Sequence, residues 1–390
     1  MNKNIKNIHN KTARVITLVL LSVVVFSNYS CNNDEVFTRE QYKNVFSIVS
    51  GSNFESRLTY DLRFDKSYGY VSASLGGTHP AGKDVNVKFE LTPSLLEDYL
   101  STGLNTNQRT RVSSALDKFG KYRFCDGLQL SIPNGEFKAF MPVSVCPADL
   151  SVDSIYLIPL TVSDYDWGEL NVEKRSVIIR VEFRNWWAEF GGTTYPSRGR
   201  VITTNATDPE NLQVDTVTLY ANKVLWPTGV DKVRMLSSNL GEPNEADRID
   251  QYRINAINLT IDDAVEVLEI DFVQRVVSRV NIEAFGLLAG VEMVAEDDPE
   301  YNPEYPNVVI PAEDDGFNNT YKTFLLNYRF TDRSGHTVRV EEELRLMYLE
   351  DVRNPRFLPI PPPQGHNLYD WFCFHDWKCD GDHYDDDDDN

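Results

Sequence analysis

Residues 128–145 read LQLSIPNGEFKAFMPVSV. Leu128, Leu130 and Ile132 alternate with Gln129 and Ser131 as far as Pro133-Asn134-Gly135. Beyond that turn Phe137, Ala139, Met141, Val143 and Val145 fall on one face. A period of two sends successive side chains to opposite faces of a strand, and Asn-Gly accepts the left-handed backbone of a tight turn. The stretch is expected to be a β-hairpin with one face in a core.

The same period spreads outward. Val85, Val87, Phe89 and Leu91 alternate with Asn86, Lys88 and Glu90; Val177, Ile179, Val181 and Phe183 form another run; Val71, Ala73 and Leu75 form one more, stopped by Gly76-Gly77. Strands with one apolar and one polar face pair as antiparallel sandwich sheets. A short helix is expected after Thr92 as cap and Pro93 in the first turn, with Leu95, Leu96 and Tyr99 inward. Residues 112–119 are read as a second helix.

These elements make a first domain, immunoglobulin-like and β-sandwich in type, over residues 38–183. A C-terminal β-domain follows over 184–352, opening at Trp186-Trp187. Its expected strands are Glu189–Tyr195, Asp215–Ala221, Ala264–Phe272, Thr323–Phe330 and Thr337–Tyr348, with a long acidic, Pro-rich surface loop over Glu296–Gly316. The fold class is thus all-β: two antiparallel β-sandwich-like domains with short helices. Residues 353–390 form a tail, first Pro-rich with five prolines between Pro355 and Pro363, then aromatic and acidic to Asp385–Asp389.

The N-terminus has its own chemistry. Lys3, Lys6, Lys11 and Arg14 precede the apolar run Val15–Phe26, and Ser27-Asn28-Tyr29-Ser30 leads to Cys31. A basic start, a short apolar core and a small residue before the break describe a secretory signal over residues 1–30. Cys31 directly after it resembles a bacterial lipobox, which implies acylation of Cys31, a lipid-anchored linker over 31–37 and an outer-membrane location. The following Asn32-Asn33-Asp34-Glu35 resembles the surface-export signal of Bacteroidetes lipoproteins. Removing residues 1–30 takes the formal charge from −21 to −25. Such a field repels phosphate backbones, so nucleic acid is not an expected partner. Cys125, Cys146, Cys373 and Cys379 are an even set in an exported chain and are disulfide candidates, with Cys125–Cys146 and Cys373–Cys379 the pairing expected among three.

Several of these stretches together resemble one family: Gly76-Gly77-Thr78, the Val85–Leu91 strand, Leu95-Leu96 with Tyr99, Leu130 to Gly135, and Tyr156-Leu157-Ile158-Pro159-Leu160. They resemble the N-terminal domain of Bacteroidetes lipoproteins of unknown function encoded in polysaccharide-utilisation loci, a domain that also precedes certain endoglycosidase modules. Phe324–Phe330 followed by Glu342-Glu343-Leu344 resembles the C-terminal β-domain of those lipoproteins. The resemblance implies a surface lipoprotein near glycan capture. It carries over no site residue, and the tail from 355 onward departs from the pattern.

Catalytic signatures are missing from the sequence: there is no HExxH, GxSxG, phosphate loop or dinucleotide fingerprint. His366, His375 and His383 share the tail with Asp376, Asp380 and Asp382 at no named metal spacing. No enzyme activity, cofactor or metal is expected. Binding fits better, because sugars rest C–H faces on aromatic rings while carboxylates and amides take the hydroxyls. Trp186, Trp187, Tyr195, Trp226, Trp371 and Trp377 are the candidate glycan contacts. Trp186 and Trp187 must point to opposite faces if they share a strand, and Trp226 before Pro227 is read as a loop residue. The expected partners are an extracellular polysaccharide or oligosaccharide, the membrane through the lipid anchor, and outer-membrane transporter components. The competing reading is an adhesive lipoprotein that docks a protein through its tail, with no glycan affinity.

Overall fold

A computed structural model describes residues 45–77, 79–104, 106–109, 112, 122–124, 127–147, 150–205, 213–237, 256–285, 289–317, 319–332 and 334–348. The signal segment, the linker with Cys31, most of the expected second helix, Cys125 and the whole tail with Trp371, Trp377, Cys373 and Cys379 lie outside the described residues. Cys146 is buried and disulfide-bonded.

The first domain is a sandwich of two five-stranded sheets. One runs β5 (Tyr122–Phe124), β7 (Lys138–Val145), β3 (Ser67–Leu75), β1 (Val45–Ile48), β9 (Glu169–Leu170). The other runs β2 (Glu55–Asp61), β10 (Ser176–Arg184), β8 (Tyr156–Tyr165), β4 (Val85–Leu91), β6 (Gln129–Ile132). The alternating apolar positions meet between them, with Phe46, Tyr60, Val71, Met141, Ile158 and Ile179 in one cluster.

The hairpin expected at Asn134-Gly135 does not form. The turn itself is present, with Glu136 N donating to Pro133 O at 3.0 Å and Gly135 at φ 90°. However, β6 pairs with β4 in one sheet and β7 with β3 and β5 in the other. The turn therefore arches across the sandwich, and both apolar faces meet the core from opposite sides. The sheets are also mixed rather than purely antiparallel: β10 runs parallel to β2 and β9 parallel to β1. The helix is α1 (Leu95–Thr102); Ser94 precedes it without a side-chain cap bond, and Thr92 contributes only its carbonyl, to Leu95 N at 3.1 Å. Tyr99 is its buried residue, as its spacing predicts.

The second domain contains β11 (Thr193–Thr204), β12 (Val214–Gly229), β13 (Lys232–Leu236), β14 (Ala256–Ile270), β15 (Val273–Phe285), β16 (Ala289–Met293), β17 (Val308–Asp314), β18 (Thr320–Thr331) and β19 (Thr337–Tyr348). Eight of them pair in an unbroken ring, β11-β12-β13-β14-β15-β17-β18-β19 and back to β11, with β16 beside β18. The sandwich-like sheet thus closes on itself around Tyr195, Leu225, Phe324, Leu326, Tyr328 and Val340. Closure removes most unpaired strand edges. It needs β11 and β19 in close contact: Gly199, at φ 154°, lies where a Cβ would sit 1.9 Å from Glu341 O. The acidic loop is shorter than expected, because its last part is β17; Asn302 moors the remainder by donating to buried Glu341 at 2.9 Å.

The poles of the first domain are assigned by backbone contacts. Leu62 N donates to Arg184 O and Asp61 N to Ser67 Oγ at the end that meets the second domain. Gly76 N donates to Val45 O at the other end of β3. The described chain thus starts at the pole opposite the joint, roughly 30 Å of strand away.

Candidate functional site

The four described aromatic candidates divide sharply. Trp187 and Tyr195 are interior, each meeting Phe324 edge to face at 5.4 and 5.8 Å, and Tyr195 OH donates to Trp187 O at 2.8 Å. They are core residues and have no face left for a ligand. Trp226 lies within β12 rather than a loop, paired with Arg234 and packed half-buried against the cluster of Leu236 and Ala256. Trp186 and Trp187 are in a bend, not a strand, so the opposite-face argument does not apply. Trp186 is half-buried at the joint between domains. Its ring carries the Lys322 ammonium at 4.1 Å and the Arg63 guanidinium at 5.4 Å, and Tyr348 stands edge-on at 5.9 Å. The chain's own cations thus already occupy this aromatic site.

The exposed aromatic surface is elsewhere. On β12, Leu219 points into the barrel, so Tyr220 points out, and it is 90% exposed. Its cross-strand partner on β11 is Arg198, whose partner on β19 is Glu343. Arg198 clasps Glu343 with both ends of its fork, at 2.9, 3.0 and 3.2 Å, and hydrogen bonding to that carboxylate raises the guanidinium's pKa. The Arg198 side chain stays 63% exposed, so its remaining donors face solvent. Arg200 repeats the pattern one step along, bonded to Glu341. Asn222 is exposed on the same face of β12, and half-buried Tyr305 lies in the field of Glu343 and Glu341. One wall of the barrel therefore presents a bare phenol ring beside the Arg198 and Arg200 donors, whose charges Glu343 and Glu341 offset from beneath. Such a surface can stack a sugar ring and hold its hydroxyls, and its neutral balance suits uncharged sugars.

The strand alternation around Leu219 is readable in sequence and puts Tyr220 on the outer face, but a tyrosine is a weaker signal of sugar contact than a tryptophan. A second polar cluster lies on the outer face of β10. Glu182 sits between Arg180 at 3.6 Å and Arg57 at 3.7 Å, and Arg180 is 3.9 Å from Glu55, which also receives Tyr99 OH. Burial pushes Glu182 up to about 7, against the pull of the two guanidinia. Both carboxylates are committed to arginines within the fold.

Fold and surface together define a two-domain all-β protein with Tyr220 exposed on the wall of its second domain. Two family models match it, an N-terminal domain model over residues 40–167 and a C-terminal model over residues 175–345. The chain belongs to the family defined by that pair of domains. Among solved structures, an auxiliary nutrient binding protein from Bacteroides thetaiotaomicron VPI-5482 is 13% identical over 76% of this chain and 92% of its own, with TM-score 0.49. A protein of unknown function from Bacteroides ovatus is 15% identical over 86% of this chain and 98% of its own, with TM-score 0.46. EndoBT-3987 of Bacteroides thetaiotaomicron, solved with a product, is 17% identical over 33% of this chain and 28% of its own, with TM-score 0.26. Among curated proteins none matches in sequence. Among the described residues no helix is long and apolar enough to cross a membrane.

Proposed function

We propose that this chain is a cell-surface lipoprotein that holds an uncharged extracellular glycan for uptake and does not cleave it. Acylated Cys31 anchors it to the outer membrane, where it works beside a transporter. The observation that carries the reading is Tyr220, bare on the barrel wall next to the neutralised Arg198–Glu343 pair. The placement of the poles supports it. Val45 begins at the pole of the first domain away from the joint, so an anchor upstream of Val45 leaves the barrel outermost, where polymers arrive. The charge of −25 left after removal of residues 1–30 supports an uncharged ligand over a uronate or sulfated one.

The test is a glycan array followed by calorimetry on the chain from Asn32 to Asn390. A neutral polysaccharide is expected to bind, and Tyr220→Ala is expected to weaken it at least tenfold, roughly 1.4 kcal/mol, with an unchanged Tm. Binding that Tyr220→Ala leaves intact would remove the wall as the site. No binding to any glycan would remove the capture reading altogether.

A further inference from the structure

The distal half of the β14–β15 hairpin runs beyond the strand pairing that closes the barrel. β13 reaches β14 only between Ala256 and Thr260, and β17 meets β15 only at Ser278 and Arg279, yet β14 and β15 stay paired out to Ile270 and Val273. Among the described residues this leaves a two-stranded ribbon, with an unpaired edge along β14 beyond Ile261. One face is covered, where Leu268, Ile270 and Val277 pack on Val308, Ile310 and Leu325. On the other face Val265, Val267 and Val276 are exposed, and Val267 and Val276 are directly opposite each other.

The tip adds an independent observation. Asp271 and Phe272 form a two-residue turn at φ 51° and 63°, where Asn-Gly is the favoured pair. A bulky side chain in that backbone region costs about 1–2 kcal/mol. Phe272 is 96% exposed, so no packing within the chain offsets the strain. A strained and bare aromatic beside an open apolar face marks a contact surface.

We propose that this face is where a second copy of the chain docks, ribbon against ribbon about a two-fold axis. Charge selects the occupant. In an exported chain of −25 the outward face between Val265 and Ile270 carries one carboxylate, Glu269, already held by Gln274 Nε2 at 2.9 Å. Glu266 and Arg275 turn to the covered side, paired with Arg279 and Glu313. Two ribbons packed antiparallel set valine against valine with few charges between them, whereas an anionic lipid surface would face Asp271 and Glu269 at the tip. Size sets the strength: burying one bare Phe and three half-bare valines removes on the order of 400–500 Å² per copy, the scale of a weak, reversible interface. On a membrane, weak pairing is enough to make two glycan sites act together, but the pairing itself does not depend on the glycan reading.

Sedimentation velocity on the chain from Asn32 to Asn390, at about 1 to 100 μM, tests it. The wild type is expected to shift towards dimer with concentration. Val267→Lys and Phe272→Gly are each expected to remain monomeric. Phe272→Gly should also hold or raise Tm, since glycine relieves the turn, which separates loss of contact from loss of fold. A wild type that stays monomeric throughout overturns the proposal, as does a Val267→Lys variant that associates like the wild type. Association that appears only after residues 353–390 are removed also overturns it and gives the face to the tail.

Discussion

Lys322 shows how one side chain couples the joint between domains to proton activity. Its ammonium is buried, donates to Trp186 O, and lies 4.1 Å from the Trp186 ring and 5.0 Å from that of Tyr348. Burial pushes it down to about 7, Arg63 adds repulsion, and Glu189 pulls the other way. The unfolded chain holds this proton up to about 10.5, so between pH 7 and 10.5 the unfolded state binds more protons than the native one. Stability should therefore rise with pH through that window, and the cost of the buried charge is present in full below it. Ring faces that favour the charged form temper the effect to on the order of 2–4 kcal/mol. Denaturant titrations across pH 7–10.5 should show this rise in the wild type and its loss in Lys322→Met; parallel curves would discount the burial. Roles at this scale were hard to read in the sequence. Trp186 and Trp187 are neighbours, yet one carries cations at the surface of the joint and the other lies in the core. Tyr195 and Tyr220 share a residue type and differ only in which way their strands face. Residue type reveals capacity for a contact, while exposure is decided by the closure of the sheet.

At the scale of elements, strand alternation was a dependable signal because burial on one face enforces it. β4, β10 and β19 lie where their patterns place them. Pairing was less readable. Asn134-Gly135 reverses the chain as its turn chemistry requires, but a turn does not decide which sheet the next strand joins. Here the apolar faces of β6 and β7 both needed the same core, and crossing the sandwich satisfied both. Thr260 and Gln274 gave no sign that β14 and β15 would outrun the barrel. Gly199 is where element geometry is least forgiving. Its φ of 154° and the 1.9 Å approach of Glu341 O to any Cβ mean that Gly199→Ala must separate β11 from β19, the pair that closes the ring. The expected cost is about 3 kcal/mol or more, read as a fall in Tm, with circular dichroism still reporting strand. A Tm within a degree of wild type would mean that the seam is looser than these contacts imply.

At the scale of the whole molecule a buried amide links the two domains. Asn185 follows the last residue of β10 and donates through Nδ2 to Gly229 O and Lys232 O, both at 2.8 Å, so it grips the β12–β13 turn of the barrel. Its Oδ1 accepts from Trp187 N at 2.9 Å and Ala188 N at 2.8 Å, which fixes the path of the joint. Arg234 adds a tie to Asp153 of the first domain at 2.7 Å, but that carboxylate is half exposed and contributes little. The arrangement predicts one cooperative unfolding transition for the wild type. Asn185→Ala leaves two carbonyls and two N–H groups without their partner in a buried place, at about 1–3 kcal/mol for each group that water cannot reach. Calorimetry should then show the single transition lowered or split into two. Asn185→Asp is the sharper variant, because it keeps the shape and the acceptor but sets a carboxylate against the Gly229 and Lys232 carbonyls. It should cost at least as much as alanine at pH 7 and recover part of the loss at low pH, where the protonated acid regains one donor. If Asn185→Asp unfolds like the wild type at neutral pH, the amide does not hold the domains together, and the Trp186 cluster with Arg63 and Lys322 must do so instead.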